Sequence, residues 1–196
     1  MIDLIYPPDY DAPLLPLPTA ADKGRRAGGS GEIFPVIRPD GVVIGKADRD
    51  YCHSGSHLLH PVVHLHIIDR NGRIYLQKRS HRKKLLPGYW DTAVGGHVIY
   101  GEGILEALLR ESSEELNLRD FNPIYLTSYQ WETERDSEFV NVFATVGSPD
   151  LRPDHDEVET GRWWTDSEIL KASSDILTPN LIYEYRMMRQ KFFSLL

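Results

Sequence analysis

The chain has 196 residues, enough to bury one core but cramped for a second full domain. Its 22 basic against 29 acidic residues give a net charge of −7, which argues against a nucleic-acid-binding surface spread over the protein and leaves no duplex DNA or RNA among the expected partners. Cys52 is the only cysteine, so no intrachain disulfide can form; with no signal-peptide pattern and no run near the roughly 18 apolar residues of a membrane span, a soluble, cytoplasmic protein is expected.

Residues 1–31 carry Pro7, Pro8, Pro13, Pro16 and Pro18, then a stretch from Lys23 to Gly31 with four glycines and two arginines. This composition predicts an extended N-terminal arm and a Gly-rich loop, with one folded domain over 32–196. Strand-like residues from Ile33 to Arg38, a turn at Pro39-Asp40-Gly41 and Val42 to Gly45 predict a hairpin. A stronger one spans Val62 to Asp69, the Asn71-Gly72 turn and Ile74 to Arg79. Further strands are expected at Trp90 to Val94, Ile124 to Trp131, Phe139 to Val146 and Glu159 to Trp164. Helices are expected at Ile104 to Leu116, after a cap at Asp166 or Ser167, and from Pro179 to the end. Strands on both sides of one helix, with two helices last, predict an α/β fold with a mixed β-sheet covered on both faces.

The helix from Ile104 holds the densest chemistry. Glu111, Glu114 and Glu115 fall at i, i+3 and i+4 and share one face. Leu105, Leu109, Ser112 and Leu116 mark the opposite side, which predicts an apolar stripe turned to the core and carboxylates held outward to solvent. Like charges one turn apart cost about 0.2–0.5 kcal/mol per pair, a cost that a bound divalent cation reverses. Hard oxygen donors suit Mg2+ or Mn2+; an acidic solvated surface is the alternative.

Gly96, Glu102, Arg110-Glu111 and Glu114-Glu115, at their spacing, resemble the Nudix box of magnesium-dependent enzymes that cleave nucleoside diphosphates linked to another group. Ser112 and Asn117 depart from it, standing where an aliphatic residue and a glycine are usual; Asn tolerates the left-handed turn that ends a helix. Arg79, Pro87-Gly88, Trp90-Asp91, Gly95-Gly96-His97 and the block from Gly45 to His66 are similar to a subgroup containing isopentenyl-diphosphate isomerase and its hydrolase relatives.

The resemblance implies an α/β/α sandwich and a small-molecule diphosphate substrate. It makes Glu111 and Glu115 metal ligands, Glu114 a ligand or the base that activates water, and the carbonyl of Gly95 or Gly96 a further donor. Arg110 would orient a glutamate, with Glu102 as a candidate partner. Lys78, Arg79, Arg82, Lys83 and Lys84 form the densest basic cluster, read either as a solvated loop or as a phosphate clamp in which Arg79 and Lys83 bind substrate. Glu157 is a candidate extra base or ligand. In the isomerases, two upstream histidines, a third matching His97 and two acidic residues build a separate metal centre, which maps onto His53, His60, His97, Asp136 and Glu138. His64 and His66 alternate on a strand and are read as packed histidines. A homodimer stays open.

Three functions follow from these residues. A hydrolase directs water at phosphorus. An isomerase acting on isopentenyl diphosphate needs the cysteine that the family carries where this chain has Gly95. A non-catalytic nucleotide-binding protein has no need of the complete glutamate face.

Overall fold

The computed structural model of the chain describes residues 3–6, 12–15, 31–83 and 85–196. Turn chemistry sets the first hairpins. Gly41, at φ 85°, donates its N–H to the Arg38 carbonyl (2.9 Å) and folds β2 (Ile33–Ile37) antiparallel onto β3 (Val43–Asp48). The Asp69 carboxylate accepts from the N–H groups of Asn71 (2.9 Å) and Arg73 (2.8 Å), an Asx-type clamp that returns β4 (Leu59–Ile68) as β5 (Ile74–Arg79). Ahead of them β1 (Leu14–Leu15) lies parallel on β3. A single turn of helix, α1 (Arg49–Tyr51), runs into a π-turn over Cys52–Ser56.

The remaining elements are β6 (Trp90–Asp91), β7 (Val94–His97), α2 (Ile104–Leu116), β8 (Ile124–Glu132), β9 (Ser137–Val146), β10 (Val158–Trp164), α3 (Asp166–Lys171) and α4 (Pro179–Ser194). The sheet order is β10-β5-β4-β9-β8, with β6 beside β5 and β7 beside β4; β1, β3 and β2 form a second sheet in that order. Internal contacts divide the chain into two units: Met1–Val63, His97–Ala107 and Ser128–Asn141 in the first, and His64–Gly96, Leu108–Thr127 and Val142–Leu196 in the second.

In the first unit, Phe34, Val36, Ala47 and Cys52 form one buried cluster and Ala12, Ile37, Val43 and Phe139 another. In the second, α4 packs Leu181, Tyr185, Met188 and Phe192 with Ile68, Ile74, Leu76 and Trp164. That spacing of i, i+4, i+7 and i+11 is the buried stripe of an amphipathic helix, and Glu184 falls inside it. Its carboxylate has no exposed surface and meets His64 Nδ1 at 3.0 Å and His66 Nε2 more closely. Burial pushes the Glu184 carboxyl up, but the two histidines, His64 foremost, outweigh it and hold it below the usual carboxylate range.

Several expectations are corrected. The predicted strand from Trp90 to Val94 is two short strands. The third helix is capped by Thr165, whose hydroxyl accepts from the Glu168 N–H (3.2 Å) while Glu168 bonds back, a capping box that leaves Asp166 as the first helical residue. On α2 the buried positions are Ile104, Ala107, Leu108, Ser112, Glu115 and Leu116, whereas Leu105 and Leu109 are about 40% exposed (41% and 42%). The stripe is therefore rotated from the predicted one, and Glu115 is buried instead of facing solvent. Asn117 does end the helix at φ 52°. Lys84 and most of residues 1–31 lie outside the described residues.

Because the Glu184 carboxyl ionises below its ordinary 4.5 in the fold, its contribution to stability is complete above about pH 4.5 and is lost as pH falls toward the folded value. Glu184→Ala, which removes one member of a buried ionic cluster, is expected to cost about 3 kcal/mol at neutral pH and to flatten that acid limb. Urea unfolding midpoints between pH 3 and 7 check both; a variant as stable as the parent protein would mean that Glu184 contributes nothing.

Candidate functional site

Within β7, Gly96 admits the Glu111 carboxylate to the sheet. A side-chain carbon on Gly96 would fall inside the Glu111 carboxylate, so only glycine allows that approach. Gly95 donates its N–H to Glu115 Oε2 (3.2 Å), and Gln77 Nε2 on β5 donates to the same oxygen (3.1 Å). With 4% of its surface exposed, Glu115 is pushed up to about 8, by burial first and then by the Glu111 charge, against the pull of Lys83. Without a cation it holds a proton at neutral pH. Arg110 Nη1 donates to Glu111 Oε1 (2.7 Å) and Glu114 Oε2 (3.0 Å), and Glu102 accepts from the Ile99 N–H (3.0 Å).

The basic cluster beyond β5 faces acids in and before β10. Lys83 pairs with Glu157, Arg82 with Asp156, and Lys78 with Glu159 at 2.9 Å. Arg79 is held by Asp91 (3.0 Å) and by the Leu85 carbonyl (3.2 and 3.1 Å). Glu111, Glu114, Glu115, Gly95, Arg110, Arg79, Lys83 and Glu157 all belong to the second unit. Glu111 and Glu115 offer hard oxygens beside a backbone that brings the strand to them, an arrangement that fits Mg2+ or Mn2+.

A second cluster lies within the first unit. The π-turn carries His53, with Gly55 at φ 90° donating its N–H to the Arg135 carbonyl (2.9 Å) and tying this turn to the loop that holds Asp136. His53 Nδ1 bonds to Asp136 Oδ2. The ligand atoms of His53, His60 and His97 lie within 4.8 Å of one another, as do those of His60, Asp136 and Glu138. Phe34 stacks on His97 (centroids 4.5 Å, planes 3° apart) and on His60 (5.4 Å, 20°), fixing both rings. His60 donates its Nδ1–H to the Leu58 carbonyl (2.8 Å), and burial lowers its pKa, so the ring is neutral with a lone pair on Nε2. That lone pair is 3.5 Å from Asp136 Oδ1, and both atoms are buried without a hydrogen bond. Two buried acceptors facing each other could hold a cation between them.

The buried group His64, His66 and Glu184 is one that the sequence reading missed. Its signal was a glutamate at a core position of the last helix together with two histidines alternating on a strand.

A NUDIX domain family model matches residues 58–182. An uncharacterised Nudix hydrolase of Nostoc sp. is 30% identical over 161 residues, covering 74% of this chain and 92% of that protein. An isopentenyl-diphosphate Delta-isomerase of Leifsonia xyli is 31% identical over 151 residues, covering 72% and 80%. A Deinococcus radiodurans protein of known crystal structure superposes with a TM-score of 0.70 at 23% identity, covering 80% of this chain and 98% of the other, which shows a shared α/β fold.

The Glu115 carboxyl ionises above its ordinary 4.5, so the metal-free protein is expected to lose stability as pH rises from about 4.5 to about 8. The loss is at most about 1.4 kcal/mol per pH unit. Mn2+ should abolish this slope and release a proton at pH 7, read in weak buffer with an indicator dye. A flat metal-free profile with no proton release would remove Glu115 from the cation site.

Proposed function

The chain belongs to the NUDIX family, as a hydrolase acting on phosphoanhydride bonds, and from that premise we propose that it cleaves a small-molecule diphosphate, with Glu111, Glu114 and Glu115 holding Mg2+ or Mn2+. The observation that carries this reading is the Glu115 carboxylate, buried between the Gly95 N–H and Gln77 and pushed up to about 8. A fold keeps so costly a group where a charge other than its own settles it. When bound, the cation neutralises phosphate charge and acidifies water at the site.

The chain's own groups supply the rest. Arg110 bridges Glu111 and Glu114 through one nitrogen and keeps them in register. Glu114, the exposed member of the face, takes the proton of the attacking water, with Glu157 as the alternative from the loop before β10. Arg79 and Lys83 meet the phosphate oxygens. Both are held by acids, Asp91 and Glu157, so their placement is set before substrate arrives. The carbonyl of Gly95 offers a further oxygen to the cation.

His53, His60, His97, Asp136 and Glu138 form a second cation centre in this reading, supported by the facing acceptors His60 Nε2 and Asp136 Oδ1. Similarity to isopentenyl-diphosphate isomerases supports an isomerase as the second reading. Against it, Gly95 brings no thiol, and the Cys52 thiol is buried and pushed up to about 12, by burial and then by Asp136. A non-catalytic nucleotide-binding role has less support, since the glutamate face is complete.

Glu115→Gln should lower magnesium-dependent hydrolysis by orders of magnitude in a protein that still folds. In oxygen-18 water, turnover should place the label in a phosphate product. Deuterium entering dimethylallyl diphosphate from deuterated water, with no phosphate released, would establish the isomerase instead. His60→Gln should remove one equivalent of tightly held metal, measured by elemental analysis after gel filtration; unchanged metal content would dismiss the second centre.

A further inference from the structure

A cavity of about 510 Å3 lies within the second unit, inside the range of about 300–1,000 Å3 typical of small-molecule sites. Tyr75 of β5 lines it and shares a face of that strand with Gln77, two residues on. Trp163 is its partner on β10, with ring centroids 5.4 Å apart and planes at 74°, so the two rings form an aromatic corner. Arg73, itself bonded to Asp69 (2.7 Å), lies over the Trp163 ring (5.8 Å) and helps to hold the indole. Pro149 and Pro153, in the segment that leads to β10, add a wall whose backbone their rings restrain. One group in this cavity is left wanting. Tyr75 is 6% exposed, and its hydroxyl has no hydrogen-bond partner among the described residues; burial alone pushes the phenol up. A side-chain carbon on Gly161, also in the cavity wall, would fall inside that hydroxyl, so the glycine gives the polar end of Tyr75 its place there.

We propose that this cavity binds a nucleobase, with Trp163 as the stacking surface and the Tyr75 hydroxyl as the group that reads the edge of the ring. A buried hydroxyl without a partner is costly, so the occupant must bring a polar edge, and it must lay an apolar face on the indole and the prolines. A purine or pyrimidine has both in one plane. An alkyl chain has no polar edge. A phosphate finds the guanidinium of Arg162, in the cavity wall, already paired with Glu168 (2.9 Å) and laid over Trp164 (3.7 Å). The cavity is separate from the glutamates of α2 but tied to them. Gln77 donates to the Glu115 carboxylate (3.1 Å), and the segment bearing the prolines donates the Asp154 N–H to the Glu115 carbonyl (2.8 Å) and the Arg152 N–H to the Leu116 carbonyl (2.9 Å). The base reaches the cavity either as part of the diphosphate that those glutamates engage or as a free nucleoside. Its binding does not rest on the hydrolase reading.

The test is isothermal titration of the full chain with adenosine, without divalent metal. Saturable binding with a Kd below about 1 mM is expected. Tyr75→Phe removes only the hydroxyl and should weaken it about fivefold. Trp163→Leu removes the stacking surface and should weaken it by about fivefold or more. Melting curves establish that each variant folds, and either folded variant suffices. Ribose 5-phosphate, which has no base, should not bind. Absence of adenosine binding up to about 10 mM, unchanged affinity in the folded variants, or ribose 5-phosphate binding as tightly as adenosine would overturn the inference. With Mn2+ added, α,β-methylene-ADP that binds at least about tenfold more tightly than adenosine identifies the base as the substrate's own, since both sites are then engaged at once; equal affinities identify a free nucleoside as the occupant. Because adenosine is titrated without metal, a chain that hydrolyses no diphosphate would remove the hydrolase reading and leave this site in place.

Discussion

One carboxylate, that of Glu115, constrains the chemistry of the second unit. It sits against β7 with the Gly95 N–H and Gln77 of β5 as donors, while Gly96 makes room for the neighbouring Glu111 and Arg110 holds Glu111 and Glu114. Hydrogen bonds from two neutral donors do not offset the loss of hydration around a charge, and Glu111 beside it adds repulsion. The site is in that sense strained electrostatically, and a bound cation would relieve it.

Three buried carboxylates illustrate three answers to the same problem. Glu115 is pushed up to about 8, which favours its protonated form. Glu184 stays ionised because two histidines face it within the core. Asp136 bonds one histidine and turns its other oxygen to the lone pair of a second, an arrangement that protein groups alone leave unresolved. Only the middle case is self-sufficient, its charge met by the two histidines that face it.

Much of this was legible in the sequence because the signals were local. The hairpin at Asn71-Gly72, the extent of the helix from Ile104 to Leu116 and the left-handed turn at Asn117 follow from residue chemistry within a few positions. The convergence of His53, His60, His97, Asp136 and Glu138 followed from resemblance, since no periodicity links a π-turn to three strands. What escaped was set by tertiary context. Leu105 and Leu109 looked like core and are exposed, because the helix turns Ala107, Leu108 and Glu115 inward. A glutamate read as solvent-facing is buried there, where Gln77 and the Gly95 N–H donate to it. Thr165 outcompeted Asp166 as a cap because Glu168 completes a reciprocal bond with it. The pairing of Glu184 with two histidines 118 and 120 positions earlier is invisible to any local window.

The two-residue strand β1 has a consequence out of proportion to its length. β1 pairs Leu14 and Leu15 with Lys46 and Ala47, and the Lys46 N–H is satisfied by the Pro13 carbonyl (2.8 Å). Leu15 lies against Gly45, where a side-chain carbon would come within 2.8 Å of it. Without those residues, β3 would present unpaired peptide groups along the flank opposite β2. Open strand flanks recruit strands from other molecules, the route to domain swapping and fibril growth. Leu14 and Leu15 thus act as a solubility device, and the glycine at position 45 is the notch that seats it.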